Sequence, residues 1–152
     1  MSKGGMTVRL RSSVIGLLVV ALLFGLSTAS PAQTRRIIHV TLNSFKFDPN
    51  LFFVNEGDTV VLQLENIDEK RPHAFNSPYL SQVDFTVAGQ YKQGEAKDGT
   101  KYVQLEPGQK AELAFVAKGR GQYGFVCSLY NHASQGQTGA FVVWPAGYHP
   151  SK

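Results

Sequence analysis

From residue 37 onward the chain alternates apolar and polar side chains in short runs, and none of these runs has helical spacing. Residues 37–42, 59–64, 111–116, 122–126 and 140–144 follow the period of two that lays one face of a strand on a core, and they are rich in β-branched and aromatic types. Turn chemistry separates them: Asp48-Pro49-Asn50, Glu56-Gly57-Asp58, Glu106-Pro107-Gly108-Gln109 and Lys118-Gly119-Arg120-Gly121. Short strands at regular intervals with Gly and Pro between them predict an all-β fold, an antiparallel sandwich or barrel, and argue against alternating strands and helices. Residues 76–100 are less regular, broken by Ser77-Pro78, Gly89, Gly94 and Asp98-Gly99, with one further short strand expected over 82–87. This stretch reads as a long, partly structured connection lying near any site built by the residues before it.

The first thirty residues follow another pattern. Lys3, Arg9 and Arg11 precede an uncharged apolar run over 14–26, and small residues follow up to Ala32. That order predicts an export signal over 1–32, cleaved after Ala32 where Ser30 and Ala32 make a small-x-small pattern; an uncleaved N-terminal anchor is the alternative. The expected organisation is then a signal at 1–32, one domain at 33–145 and a flexible tail at 146–152, with a periplasmic or other extracytoplasmic location. Three of the 15 Lys and Arg lie in the signal, so the remainder nearly balances the 11 Asp and Glu. The basic balance of the whole chain therefore gives no reason to expect a nucleic-acid partner, and the expected mature form is a monomer without a membrane span.

Cysteine usage sharpens the picture. An exported domain ordinarily uses cysteines in pairs, yet Cys127 is the one cysteine in the chain. It is either an inert core thiol or a ligand. Its surroundings favour the second reading: a strand delivers Cys127, and a short loop then delivers His132 and Gln137 before the last strand starts. One thiolate and two imidazoles with a weak fourth donor make the set that suits copper cycling between two oxidation states. The second imidazole is assigned to His73, just beyond the strand at 59–64. His39 and His149 are read as structural or solvent-exposed, and Tyr123, Phe125 and Trp144 as core aromatics.

These residues resemble the plastocyanin- and azurin-like cupredoxins, the blue-copper proteins. The resemblance rests on Phe45-Lys-Phe-Asp-Pro, Gly57-Asp58-Thr-Val, Asn66, His73, Pro107-Gly108-Gln109, Gly121-Gln-Tyr123 and Cys127-x4-His132-x4-Gln137 before Gly139. It covers most of the expected mature chain and is weakest over 76–100. It implies a Greek-key β-sandwich holding one copper ion through His73, Cys127 and His132. Gln137 stands at the axial position, where the family usually has Met, as in the stellacyanin-like plant members; Gln135 is the alternative. An amide oxygen favours the oxidised ion, so a low reduction potential is implied. Ala74 replaces an Asn that in many relatives braces the ligand loop near the residue after the cysteine, here Ser128, which leaves outer support of the site open.

The expected function is single-electron transfer between a redox donor and acceptor, for example a cytochrome or an oxidase, through an exposed edge of His132. A copper carrier, chaperone or sensor is the alternative. An enzyme using Cys127 as nucleophile is disfavoured, because no orienting acid or oxyanion-hole signature accompanies the Cys-His pair.

Overall fold

The computed structural model describes residues 33–150. Among the described residues eleven strands form two sheets. The first sheet contains β1 (Arg35–Asn43), β2 (Lys46–Asp48), β4 (Thr59–Asn66), β6 (Phe85–Gly89) and β9 (Lys110–Val116), in the order β2-β1-β4-β9-β6. The second contains β3 (Leu51–Asn55), β5 (His73–Asn76), β7 (Lys92–Glu95), β8 (Lys101–Leu105), β10 (Gly121–Val126) and β11 (Thr138–Trp144), in the order β3-β11-β10-β5-β8-β7. The expected all-β sandwich is present, and every run read as a strand from its alternation lies within a strand or overlaps one.

The sheets are mixed where wholly antiparallel ones were expected. β1 runs parallel to β4 from the Arg35–Thr59 pair, and β3 runs parallel to β11 from the Leu51–Ala140 pair. The reason is topological: after β1 the chain turns back through β2 and crosses to the other sheet as β3. It re-enters the first sheet as β4 in the direction of β1.

Alternation places Val40 and Leu42 of β1, Val60, Leu62 and Leu64 of β4, and Leu113 and Phe115 of β9 on the inner face. The second sheet answers with an aromatic layer. Phe52 and Phe141 stack with ring centroids 5.2 Å apart, and Phe75 and Phe125 at 4.8 Å. Each such side chain contributes roughly 1.5–3 kcal/mol when fully buried. Gly139 makes this packing possible, since a Cβ there would run into the Phe125 ring and the Asn50 carbonyl.

β5 escaped the period-of-two reading because all four of its residues are buried, and a strand covered on both faces has no alternation to show. Besides β6, which overlaps the short strand expected over 82–87, the 76–100 segment holds a 3-10 turn at Pro78–Ser81 and β7, which were not expected. The residues after β11 fold back, with Tyr148 against the Trp144 ring at 4.8 Å and Asn55 Nδ2 donating to the Tyr148 carbonyl at 3.0 Å. The proposed signal at 1–32 lies outside the described residues.

The two ends of the sandwich differ. One gathers the start of β1, the turn at 56–58 and the end of β11, joined by Thr59 N–H to the Thr34 carbonyl at 2.9 Å and Glu56 N–H to the Trp144 carbonyl at 2.8 Å. The opposite end gathers Ser44 after β1, the loop 67–72 before β5 and the loop 127–137 between β10 and β11.

Candidate metal centre

The loop from Cys127 to Gln137 is closed by its own backbone. Cys127 N–H donates to the Gln137 carbonyl at 3.0 Å, and Gln137 N–H to the His132 carbonyl at 3.0 Å. A single 3-10 turn over Ala133–Gln135 ends at Gly136, whose φ of 104° is left-handed, and this reverses the chain into β11. Three of the four residues singled out by the sequence are thus locked to one another. The fourth, His73, opens β5, the strand that pairs with β10 through Asn76 and Val126.

His73, Cys127 and His132 converge so that their ligand atoms all lie within 4.8 Å of one another, the one such group of His, Cys and acidic side chains among the described residues. Exposure is 0% for His73, 1% for Cys127, 4% for His132 and 0% for Gln137. Cys127 Sγ lies 3.4 Å from His132 Nδ1, and His73 Nδ1 lies 2.8 Å from Gln137 Oε1. Gln135 is exposed and turns away, its Nε2 donating to Asn131 Oδ1 at 2.7 Å. His39 and His149 are exposed and outside the group.

The donor set fits a metal ion for a specific reason. Gln137 Nε2 donates to the Lys46 carbonyl at 3.3 Å, which leaves Oε1 toward His73 Nδ1. The other ring nitrogen, Nε2, lies 3.3 Å from Asp68 Oδ2. Both oxygens only accept, so the ring needs a hydrogen or a cation at each nitrogen. A cation at Nδ1 would meet the thiolate of Cys127, Nδ1 of His132 and the amide oxygen of Gln137, a set of one soft and three harder donors that matches copper.

The electrostatics agree. Burial pushes the Cys127 thiol up, against hydrogen bonds from the Ala74 and Leu129 backbone. Burial also lowers the His132 imidazole, with help from the charges of His73 and Arg71, and so keeps its ring a neutral donor. A nucleophilic cysteine needs the opposite, a depressed thiol in an exposed place. In the metal-free protein, native Cys127 is therefore expected to react with iodoacetamide at least tenfold more slowly than in denaturant. A native rate equal to the denatured one would contradict this burial.

Three features of the site were not anticipated. Ala74, whose side chain left outer support of the site open, contributes a backbone bond to the sulfur: its N–H donates to Cys127 Sγ at 3.3 Å. His132 is largely covered, because Phe45 packs edge-on against it at 5.0 Å and Tyr130 lies at 5.5 Å, which leaves it 4% exposed where a more open imidazole edge was expected. Asp68, buried beside His73, was missed altogether. The N–H of Lys70 most of all, then His73 and the N–H groups of Arg71 and Ser44, hold its carboxyl well below the usual range against the opposing effect of burial. Asn66 at the end of β4 and Asp68 in the loop just before a ligand were the available signal.

The family model described as a cupredoxin-like domain matches residues 16–143. The chain is 32% identical over 110 residues to the multicopper oxidase mco of Staphylococcus epidermidis, and 31% identical to that of Staphylococcus haemolyticus. Each match covers 69% of this chain but 25% of the relative, so the chain spans about a quarter of the length of these relatives. Among solved structures it is similar to dithionite-reduced auracyanin from Roseiflexus castenholzii, with a TM-score of 0.57, 17% identity, and coverage of 74% of this chain and 99% of that one. A multicopper oxidase from Campylobacter jejuni gives 0.54 at 11% identity, covering 77% of this chain and 31% of that one. At these identities the two structures speak to the fold alone.

Proposed function

From the chain's membership of the cupredoxin-like family, to which it belongs and which makes it a copper protein, we propose that it carries single electrons between redox partners by one copper ion held through His73, Cys127, His132 and Gln137. The observation that carries this reading is the buried convergence of one thiol and two imidazoles beside an amide oxygen, with the sulfur, the amide and the His73 ring each held by a bond to a neighbouring residue and the His132 ring held by packing. Copper bound there supplies a one-electron couple. The protein's part is to keep the donors still: the Cys127 sulfur accepts from Ala74 N–H, the Gln137 amide is pinned to Lys46, and His132 sits between the closed loop and Phe45. Donors held this way cannot rearrange between oxidation states, and their burial works against handing the ion to another protein.

Tyr130 is the exposed group of the centre, at 83% exposure and with its ring beside His132. In this proposal electrons enter and leave past Tyr130 and Phe45, and the donor and acceptor, such as a cytochrome or an oxidase, dock there on a monomer. Export by residues 1–32 to the periplasm or another extracytoplasmic compartment belongs to the same proposal.

The test is the copper-loaded protein itself. An intense visible thiolate-to-copper band with a reversible one-electron voltammogram is expected; a protein that binds copper without that band would overturn the reading. The axial oxygen gives a finer expectation. Gln137→Met should raise the potential by about 59 mV or more, a tenfold change in the equilibrium constant, because a thioether suits the reduced ion better than an amide oxygen does. Gln135→Met, on an exposed side chain, should leave it unchanged. The reverse pattern would assign the axial place to Gln135.

A further inference from the structure

Loop 67–72 is wound around one carboxylate. Asp68 Oδ1 accepts from the N–H groups of Lys70 at 2.9 Å and Arg71 at 3.0 Å, while Oδ2 faces Ser44 N–H and His73 Nε2, each at 3.3 Å. Asn66, itself fully buried, holds the loop from below. Its Oδ1 accepts from Asp68 N–H at 3.0 Å, and its Nδ2 donates to the Arg71 and Leu105 carbonyls at 2.9 and 3.0 Å. Ser44 and Phe45 adopt left-handed φ values of 43° and 64°, conformations that are strained for a non-glycine residue. The bond from Ser44 N–H to Asp68 is one that holds this turn, and the turn carries the Phe45 ring that packs on His132.

One buried oxygen therefore bonds His73 directly and also the Ser44 N–H of the turn whose Phe45 ring packs on His132. We propose that Asp68 is a positioning residue of the copper centre: it fixes hydrogen on Nε2 of His73 so that Nδ1 is the donor, and its fixed negative charge lowers the reduction potential. This rests on the copper reading above. The chemistry is that of a ligand imidazole donating its far N–H to a carboxylate, which orients the ring and makes the near nitrogen a stronger donor. A stronger donor and a nearby negative charge both favour the cupric over the cuprous state.

Asp68→Asn separates charge from shape. Its remaining oxygen can serve Lys70 and Arg71, but its NH2 then faces two donors, Ser44 N–H and His73 Nε2–H, and the charge is gone. Glu69→Gln is the control, since it removes the same charge one residue along in solvent. With copper bound, Asp68→Asn should keep the thiolate-to-copper band and raise the potential by a tenfold change in the cupric-to-cuprous equilibrium or more, about 59 mV. Glu69→Gln should stay within a third of that. In the copper-free protein, 15N-detected NMR of the imidazoles should show a slowly exchanging hydrogen on His73 Nε2 that exchanges at least tenfold faster in Asp68→Asn. An unshifted potential, or equal shifts in the two variants, overturns the electrostatic role. A wild-type Nε2 hydrogen exchanging as fast as that of the variant overturns the positioning role, and this copper-free measurement decides it even if Asp68→Asn loads metal poorly. A wild type with no thiolate-to-copper band would instead sink the copper reading, leaving the NMR result to judge Asp68.

Discussion

Cys127→Ser is expected to abolish the visible thiolate-to-copper band completely while the domain stays folded. The band requires the sulfur, and no second cysteine exists to replace it. The fold should survive because the exchange is nearly isosteric and the new hydroxyl inherits partners: the Ala74 N–H that donates to the sulfur and the His132 ring 3.4 Å away. The cost is that of a buried polar group with moderate hydrogen bonds, about 1 kcal/mol, or a few degrees in melting temperature. Absorption spectroscopy of copper-loaded protein and thermal melts of the metal-free form check the two halves. Retention of the band would remove Cys127 from the centre.

The second large effect concerns the histidines. His73→Ala should weaken copper binding by 100-fold or more, on the order of 3 kcal/mol, when measured by competition against a chelator of known affinity. The same change at His39 or His149 should alter affinity less than twofold, since both rings are exposed and neither belongs to the ligand group. His73→Ala also deprives the buried oxygens of Asp68 and Gln137 of the ring between them. Buried acceptors that lose a partner cost about 1–3 kcal/mol, so this variant should also melt lower than wild type without metal. Equal affinity losses at the three histidines would mean that His73 has no special place.

How much of this was legible in the sequence depends on which physical signal each part leaves. The strands of the first sheet are covered on one face, so β1, β4 and β9 announce themselves by alternation. β5 is buried on both faces and carries the first ligand, so periodicity passed over the strand while the chemistry of His73 still pointed to it. Cys127, His132 and Gln137 were legible because a closed loop needs fixed spacing, and spacing is written in sequence. What surrounds them was not. Asp68 reaches His73 through a loop conformation, Ala74 supports the sulfur with a backbone group that any residue would carry, and Phe45 and Tyr130 cover His132 through left-handed turns with no glycine to mark them. The parallel pairing of β1 with β4 likewise depends on a crossing between sheets that no local pattern encodes.

That parallel strand has a consequence for how the domain can be mounted. β1 leaves the end that holds Thr34 and runs nine residues to the end that holds the donors, a span of about 30 Å at 3.3 Å per residue. Anything fastened at residue 33, whether a lipid surface, a fusion partner or a gold electrode, therefore grips the domain by the pole farthest from Tyr130. Such a tether presents the centre outward and leaves the fastened side too remote for direct electron exchange, so a film of the protein attached this way should pass current only through a mobile mediator, whereas attachment beside Tyr130 should wire it directly.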